Sequence, residues 1–241
     1  MITAGKTVLV TGANRGIGKV LVEEALKRGA KRVYAGTRQP LSHPDERVTP
    51  VALDVTDAAH IQAAVEQVES VDLLINNAGI VAYDDLTDPA VLDQMLAVNF
   101  YGVRDVTQAF LPKLIESEGA IATNISLNAL APFPVVASYS VSKAAAFNLM
   151  QSLRAILAPR GVSVHAILTG LVDTDMSAGF DIEKAPPELV AHSIFDGIEK
   201  GDEEIFPDPM SEPFADGWRN GSSKGLERQS AAMYAQFTQQ G

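Results

Sequence analysis

Tyr139 and Lys143 are the two side chains of this sequence whose types and spacing point most directly to chemistry. They are four residues apart, which places them on one face of a helix, and the alanines after Lys143 favour helix there. A phenol titrates near pH ~10, and an ammonium one helical turn away stabilises the phenolate and lowers that pKa. Such a pair suits proton exchange with a hydroxyl or carbonyl oxygen. A half-exposed pair on an amphipathic helix fits the same spacing, so the rest of the chain decides between these interpretations.

Length, charge and cysteine content limit the classes of protein to which this chain can belong. With 241 residues, it fits one large α/β domain or two small ones. Its net charge of -11 argues against a nucleic-acid or anionic-membrane partner. The absence of cysteine excludes disulfides, a thiol nucleophile and thiolate metal sites, and we predict no metal site. Without a signal-peptide pattern or an apolar run of bilayer length, we expect a soluble cytoplasmic protein with no membrane partner.

A glycine-rich turn follows the first predicted strand, residues 7–11. Gly12, Gly16 and Gly18 have the spacing Gly-x-x-x-Gly-x-Gly, and an amphipathic helical pattern follows over residues 19–28. Gly12 can take a tight turn, while Gly16 and Gly18 allow the backbone to approach a pyrophosphate and the helix to pack close to the strand. Strand, turn and helix in this order predict a dinucleotide-binding turn, with a plain glycine-rich turn as the alternative.

The end of the second predicted strand, residues 32–37, indicates which dinucleotide would bind. An acidic residue there holds the ribose 2′-hydroxyl of NAD, whereas an arginine accommodates the 2′-phosphate of NADP. This strand ends at Thr37-Arg38, and Arg15 in the glycine turn offers a second guanidinium for a phosphate. We therefore predict NADP(H) over NAD(H), with a surface arginine as the alternative for Arg38. Asp54, after the third strand, fits either an acceptor for the adenine amine or a turn residue.

Alternating strand and helix patterns predict an α/β fold, a doubly wound parallel sheet that is Rossmann-like, in a single domain with about seven strands flanked by helices. The predicted strands are residues 7–11, 32–37, 48–53, 71–75, 120–125, 162–168 and 204–206. The predicted helices are residues 19–28, 58–69, 89–116, 139–158, 187–199 and 226–237. The connection over residues 39–47 is too short to hold a full helix. We place the domain at residues 1–208 and a C-terminal extension at 209–241, with a loop over 220–225.

Ligands of such sheets bind over the carboxyl ends of the strands, where most of the polar candidates of this chain converge. Beyond the glycine turn, these candidates are Arg38, Asp54, Asn76, Asn77, Ser126, Thr169 and Gly170. Asn99 lies inside the long predicted helix, where an asparagine is a poor choice unless its side chain has a role.

Taken together and in order, these motifs resemble the short-chain dehydrogenase/reductase family of the single-domain type. The motifs that carry the resemblance are Thr11-Gly12-x-x-x-Gly16-x-Gly18, Asn76-Asn77-Ala78-Gly79, Asn99, Ser126 and Tyr139-x-x-x-Lys143. The resemblance extends over about residues 7–206. It implies hydride transfer between nicotinamide C4 and a carbonyl or secondary alcohol carbon.

The resemblance also implies roles for individual residues. Tyr139 would protonate the carbonyl oxygen during reduction, Ser126 would hydrogen-bond that oxygen, and Asn99 would hold a water that links the lysine to solvent. Lys143 would lower the tyrosine pKa and bind the nicotinamide ribose. The catalytic residues implied are Asn99, Ser126, Tyr139 and Lys143. The cofactor-binding residues implied are Gly12, Asn14, Arg15, Gly16, Ile17, Gly18, Arg38, Asp54, Val55, Asn76, Ala78, Gly79, Tyr139, Lys143, Thr169, Gly170, Val172 and Thr174, of which Val172 and Thr174 match carboxamide-binding positions.

We therefore predict an enzyme, an NADP(H)-dependent oxidoreductase that acts on CH–OH or C=O groups and reduces a ketone or aldehyde of mainly hydrophobic character. The candidate walls of the substrate site are Ile80, Val81, Tyr83, Leu127, Leu130, Phe133, Val135, Met176 and Phe180. By resemblance, we expect a homodimer or homotetramer that assembles through helices 89–116 and 139–158.

Departures from the family pattern leave alternatives open. Thr169 stands where family members usually have proline, so the local turn and the cofactor's seating are less certain. A 3-oxoacyl-carrier-protein reductase is one alternative, although the net acidity counts against an acidic carrier partner. A non-catalytic NADP-binding regulator would not need a proton donor such as Tyr139. A dehalogenase on this fold is associated with arginine where Lys143 stands.

Overall fold

The computed structural model of the protein describes residues 1–238 and forms one seven-stranded parallel sheet with helices on both faces. The strands are β1 (Thr7–Thr11), β2 (Arg32–Thr37), β3 (Val48–Ala52), β4 (Leu73–Asn76), β5 (Ala120–Asn124), β6 (Ser163–Ile167) and β7 (Glu204–Ile205). Their order across the sheet is β3-β2-β1-β4-β5-β6-β7. The predicted doubly wound α/β fold is therefore confirmed.

Eight helices surround this sheet within the described residues. They are α1 (Gly16–Lys27), α2 (Ala58–Gln67), α3 (Pro89–Leu96), α4 (Val103–Glu116), α5 (Ala137–Leu157), α6 (Pro187–Lys200), α7 (Ala215–Arg219) and α8 (Ser222–Thr238). Successive side chains of a strand point to opposite faces, so Val8 and Val10 pack in a core with α1 and α6, whereas Leu9 packs with α2, α4 and α5. Burial on both faces explains why β1 is apolar throughout its middle.

The strand order changes direction between β1 and β4, which is the place where doubly wound sheets bind ligands. Strands β2 and β3 continue from β1 toward one edge, while β4 to β7 continue toward the other. The glycine turn after β1 and the segment from Asn77 to Gly79 after β4 flank this crevice. The sheet alone thus brings two of the sequence motifs together.

The long helix predicted over residues 89–116 is not continuous. A π-helical turn, Ala97–Gly102, separates α3 from α4 and contains Asn99. Gly102 permits a close approach here, because a Cβ on it would lie 2.7 Å from Cγ2 of Val55. Insertions of this type are frequent at functional sites, and hydrophobic periodicity does not reveal them.

The structure confirms the prediction for the connection before β3 and contradicts the prediction for the loop after β7. No helix lies between β2 and β3, as the short connection predicts. The predicted loop at residues 220–225 is wrong, because α8 already begins at Ser222. Lys224 explains the difference: its ammonium is buried against Glu204 at 2.9 Å and fixes the first turn of α8 to the sheet edge. Residues 239–241 of the predicted extension lie outside the described residues, and the domain boundary at residue 208 stays a prediction.

Candidate active site

The glycine turn after β1 has the backbone geometry that its three glycines suggest. Gly12 has φ +66°, and a Cβ there would lie 2.9 Å from Cα of Ala78. Gly16 has φ +51°, and a Cβ on Gly18 would lie 2.0 Å from the carbonyl oxygen of Gly12. No side chain caps the first turn of α1, so its leading N–H groups are available to an anion. The turn therefore fits a pyrophosphate, and its glycines let it pack against Ala78 and let α1 start close to the end of β1.

A cleft opens beside this turn and collects most of the predicted cofactor-binding residues. The predicted residues that line it are Gly12, Asn14, Arg15, Gly16, Ile17, Arg38, Asp54, Val55, Ala78, Gly79 and Thr174. Further lining residues are Thr37, Gln39, Leu53, Asn77, Ile80, Val98, Asn124, Asp175 and Met176. The other predicted cofactor-binding residues do not line it: Gly18, Asn76, Tyr139, Lys143, Thr169, Gly170 and Val172. The cleft spans the distance from the end of β2 to the end of β5.

Asn76 is the last residue of β4, and Asn77 follows it. Their side chains point in opposite directions, and only Asn77 lies in the cleft. The amide of Asn76 is buried and donates to the hydroxyl of Thr107 at 3.0 Å, so this predicted cofactor residue is turned away from the site. Asn77 instead donates to the carbonyl oxygens of Thr11 at 3.2 Å and Gly12 at 3.4 Å. Side chains alternate along an extended strand, and this alternation separates the two amides.

Both arginines predicted to bind a phosphate line the cleft, and both are exposed. Arg15 donates to the carboxylate of Asp175 at 3.3 Å across the cleft, a contact that the sequence did not suggest. Arg38 forms no hydrogen bond or ion pair among residues 1–238. The Asp54 carboxylate accepts from the N–H and the hydroxyl of Thr56. This aspartate therefore lies in the turn that follows β3, and it also lines the cleft.

Ser126 stands directly after Ile125 at the end of β5 with φ +138° and ψ 153°. This region of backbone conformation is essentially restricted to glycine and costs a serine about 1–3 kcal/mol. Hydrogen bonds on both sides hold it, from Ile125 N to Ile167 O at 2.8 Å and from Leu127 N to Thr169 O at 2.9 Å. The hydroxyl oxygen accepts from Asn128 N at 3.2 Å. A strained polar residue fixed in this way is typical of a functional site.

Tyr139 and Lys143 share one face of α5, as their spacing predicts, but their electrostatics differ from the expectation. Burial raises the pKa of Tyr139 to about 12, and hydrogen bonding with Ser126 only partly opposes that rise. Burial also lowers the pKa of Lys143 to about 8. The lysine Nζ donates to Asn124 O at 2.7 Å and lies 5.6 Å from the centre of the tyrosine ring. The expected lowering of the tyrosine pKa is therefore wrong, because desolvation of the phenolate raises this pKa more than the hydrogen bond with Ser126 lowers it.

Asn99 is fully buried and is held by three hydrogen bonds. Its Oδ1 accepts from Ile80 N at 2.9 Å, and its Nδ2 donates to Ile80 O at 2.9 Å and to Ser142 Oγ at 3.0 Å. Gly79 lies between Asn99 and Lys143, since a Cβ on it would be 3.2 Å from the amide oxygen and 3.6 Å from the lysine Nζ. Asn99 thus fixes the loop after β4 against α5.

Aromatic side chains from three loops form an apolar surface. The ring of Phe180 is 5.8 Å from that of Tyr83 and 6.2 Å from that of Phe133. Tyr83 and Phe133 are 62% and 44% exposed, so this surface is open to a ligand. Asp84 ties the first of these loops to α5 by accepting from the N–H and the hydroxyl of Ser138.

Two features of the described residues lie outside this site. The carboxylates of Glu203, Glu204 and Glu227 are close enough together to hold a metal ion, but the ammonium of Lys224 contacts all three. Together with the guanidinium of Arg154, which contacts Glu204 at 2.8 Å and also contacts Glu227, these groups form an ion cluster that holds α8. No helix within residues 1–238 combines the length and the apolar character needed to cross a bilayer.

Comparison with protein families identifies the kind of chain to which this site belongs. The family model described as "short chain dehydrogenase" matches residues 6–184. An uncharacterized oxidoreductase of Staphylococcus epidermidis is 34% identical over 205 residues, which cover 80% of this chain and 89% of the relative. The 11-beta-hydroxysteroid dehydrogenase-like 3 protein of Arabidopsis thaliana is 30% identical over 223 residues, which cover 83% of this chain and 72% of that protein.

Solved structures agree with the family match. A short chain dehydrogenase from Burkholderia cenocepacia in complex with NADP has a TM-score of 0.87 and 34% identity, covering 95% of this chain and 98% of that chain. A 3-ketoacyl-(acyl-carrier-protein) reductase from Brucella melitensis complexed with NADH has a TM-score of 0.75 and 25% identity, covering 87% and 93%.

Proposed function

This chain belongs to the short-chain dehydrogenase/reductase family of oxidoreductases, and we propose that it is an NADP(H)-dependent reductase of ketones or aldehydes with mainly hydrophobic substituents. The observation that carries this proposal is that Ser126, which follows β5, hydrogen-bonds with Tyr139 of α5. Lys143 of the same helix donates to the carbonyl oxygen of Asn124, which lines the glycine-lined cleft. The reverse reaction, oxidation of the corresponding alcohol, uses the same groups.

The cleft supports NADP(H) as the cofactor. The N–H groups at the start of α1 have no side-chain cap and are available to a pyrophosphate, and Gly12 lets the turn pack closely against Ala78. The end of β2 offers Arg38 instead of a carboxylate, and Arg15 lines the same cleft. A ribose 2′-phosphate would meet two guanidiniums there, which favours NADP(H) over NAD(H). The Burkholderia cenocepacia relative was solved with NADP, which is consistent with this assignment.

The proposed chemistry follows from the protonation states of the site. A bound reduced nicotinamide supplies the hydride to the carbonyl carbon. With its pKa raised to about 12, Tyr139 carries its proton at neutral pH and can donate it to the carbonyl oxygen. The Ser126 hydroxyl holds that oxygen beside the phenol. Lys143, with its pKa lowered to about 8, lies close enough to stabilise the phenolate that remains.

The surroundings of Tyr139 support a hydrophobic substrate. The rings of Tyr83, Phe133 and Phe180 face an open space, and Met176 is 45% exposed at its edge. These side chains provide apolar contact area and no cationic partner for a carboxylate or phosphate. An aromatic or aliphatic carbonyl compound therefore fits better than an acidic one.

The test is turnover of a panel of ketones and aldehydes with NADPH and with NADH, followed by absorbance of the reduced cofactor. We expect faster turnover with NADPH. Tyr139→Phe should lower turnover by about 10²–10⁴-fold, because the substitution removes the proton donor. Tyr101→Phe is the matched control, since it removes the hydroxyl of an exposed tyrosine. Undiminished turnover in Tyr139→Phe would refute the mechanism.

A 3-oxoacyl-thioester reductase is a second candidate, because the Brucella melitensis neighbour is a reductase of that class. Preference for acetoacetyl thioesters over simple ketones in the same assay would favour it. A non-catalytic NADP-binding regulator would bind NADPH without turning over any member of the panel. Cytoplasmic location and assembly into a homodimer or homotetramer also belong to the proposal, and mass measurement in solution tests the assembly.

A further inference from the structure

A row of hydrogen bonds connects the end of β6 to the glycine turn after β1. The Thr169 hydroxyl donates to Oδ1 of Asn124 at 3.0 Å, and Nδ2 of Asn124 donates to Oδ1 of Asn77 at 3.2 Å. Asn77 then donates to the carbonyl oxygens of Thr11 at 3.2 Å and Gly12 at 3.4 Å. The row crosses the ends of four adjacent strands, β6, β5, β4 and β1.

The carbonyl oxygens of Thr11 and Gly12 can only accept, so they set the direction of the bonds in this row, and the Thr169 hydroxyl supplies the donor at its other end. The Thr169 hydroxyl donates to the oxygen of the Asn124 amide, which presents its NH₂ group to Asn77. Asn77 in turn presents its own NH₂ group to the glycine turn. A residue without a hydroxyl would leave the Asn124 oxygen without this donor, and the Asn124 amide would then be held only by its bond to Asn77.

The Thr169 hydroxyl is not needed to hold its own loop. The carbonyl oxygen of Thr169 accepts from Leu127 N at 2.9 Å, and the next residue, Gly170, donates its N–H to the buried carboxylate of Asp208 at 2.8 Å. These two backbone contacts remain when the hydroxyl is removed. The hydroxyl itself is directed at Asn124, which lines the cofactor cleft and whose carbonyl oxygen accepts from Lys143.

We propose that Thr169 is a positioning residue, which acts through Asn124 and Asn77 to hold the glycine turn in the shape that binds the dinucleotide. This inference rests on the proposed function, because it concerns the cofactor of that reaction. It also gives a role to the side chain that stands where the family pattern has proline, a residue with no hydroxyl. The site thereby extends from β1 to β6 through side chains that need not touch the cofactor themselves.

Two substitutions separate the hydroxyl from the shape of the side chain. Thr169→Val keeps the shape and removes the donor, whereas Thr169→Ser keeps the donor. Calorimetric titration with NADPH should show about tenfold weaker binding for Thr169→Val, because the row of hydrogen bonds loses its donor to Asn124, and binding within about twofold of wild type for Thr169→Ser. Thermal unfolding without cofactor, measured in parallel, reports any purely structural effect.

A double-mutant cycle with Asn77→Ala tests whether Thr169 acts through this row of hydrogen bonds. If it does, Thr169→Val should weaken NADPH binding in wild type but add little in the Asn77→Ala background. Additive losses, or a Thr169→Val variant with lowered thermal stability and unchanged NADPH affinity, would overturn the proposal. A wild-type protein that binds neither NADPH nor NADH would overturn the proposed function and this inference together, so the two failures are distinguishable.

Discussion

Relief of backbone strain at Ser126 gives a prediction that depends on geometry alone. At an ordinary position, glycine destabilises a protein by about 0.5–1 kcal/mol relative to alanine, because the unfolded chain gains freedom. At Ser126 the order should reverse, since φ +138° and ψ 153° cost any side chain with a Cβ about 1–3 kcal/mol. Both substitutions lose the same hydrogen bond from Asn128 N, so that loss cancels in the comparison. Ser126→Gly should therefore be more stable than Ser126→Ala by about 1 kcal/mol.

Thermal unfolding of the two variants measures this difference. For a chain of this length, about 1 kcal/mol corresponds to a Tm difference of about 2–4 °C, with Ser126→Gly the higher. Ser152, an exposed residue within α5, is the control position, and there the alanine variant should be the more stable. Equal stability of the two Ser126 variants, or greater stability of Ser126→Ala, would refute the claim that this residue stores strain.

Three further predictions concern charged groups. Asp175→Asn should tighten NADPH binding by up to about fivefold in calorimetry, because it frees Arg15 from an exposed ion pair that is worth at most about 1 kcal/mol. The pKa of Lys143 falls from 10.5 to about 8 on folding, so the folded state binds fewer protons, and urea unfolding should show stability rising with pH between about 8 and 10.5. Lys143→Met should remove that rise. Lys224→Met should lower the free energy of unfolding by about 1–3 kcal/mol, because the buried carboxylate of Glu204 loses one cationic partner and keeps Arg154 at 2.8 Å.

Two of these variants have matched controls, in which a residue of the same type is replaced at an exposed position. Asp173→Asn removes an equal charge two residues from Asp175, at an exposed position. If it tightened NADPH binding equally, the effect would come from net charge and not from Arg15. Lys200→Met removes an exposed lysine at the end of α6, and a loss as large as that of Lys224→Met would contradict the ion-cluster argument.

Local patterns predicted the parts of this protein that depend on neighbouring residues in the chain. The continuous apolar run of β1 and the amphipathic pattern of α1 predicted a strand buried on both faces and the first helix. The spacing of Gly12, Gly16 and Gly18 gave the turn between them. Strand and helix order then brought Ser126 and Tyr139 to the same edge, because parallel strands deliver their carboxyl ends together.

The tertiary structure decided what depends on contacts between distant segments. The sequence shows two adjacent asparagines, but only the packing of β4 turned Asn76 into the core and Asn77 toward the cleft. The π-helical turn at Asn99 and the early start of α8 at Ser222 likewise follow from contacts with distant parts of the chain.

Tyr139 and Lys143, the pair that first indicated chemistry, show the same difference between what spacing determines and what tertiary contacts determine. The spacing of Tyr139 and Lys143 determined by itself that they share a helical face. Their pKa values could not be read from spacing, because the free energy of each charged form depends on how much water the rest of the fold removes. Burial therefore raises one pKa and lowers the other, in a direction that only the assembled structure determines.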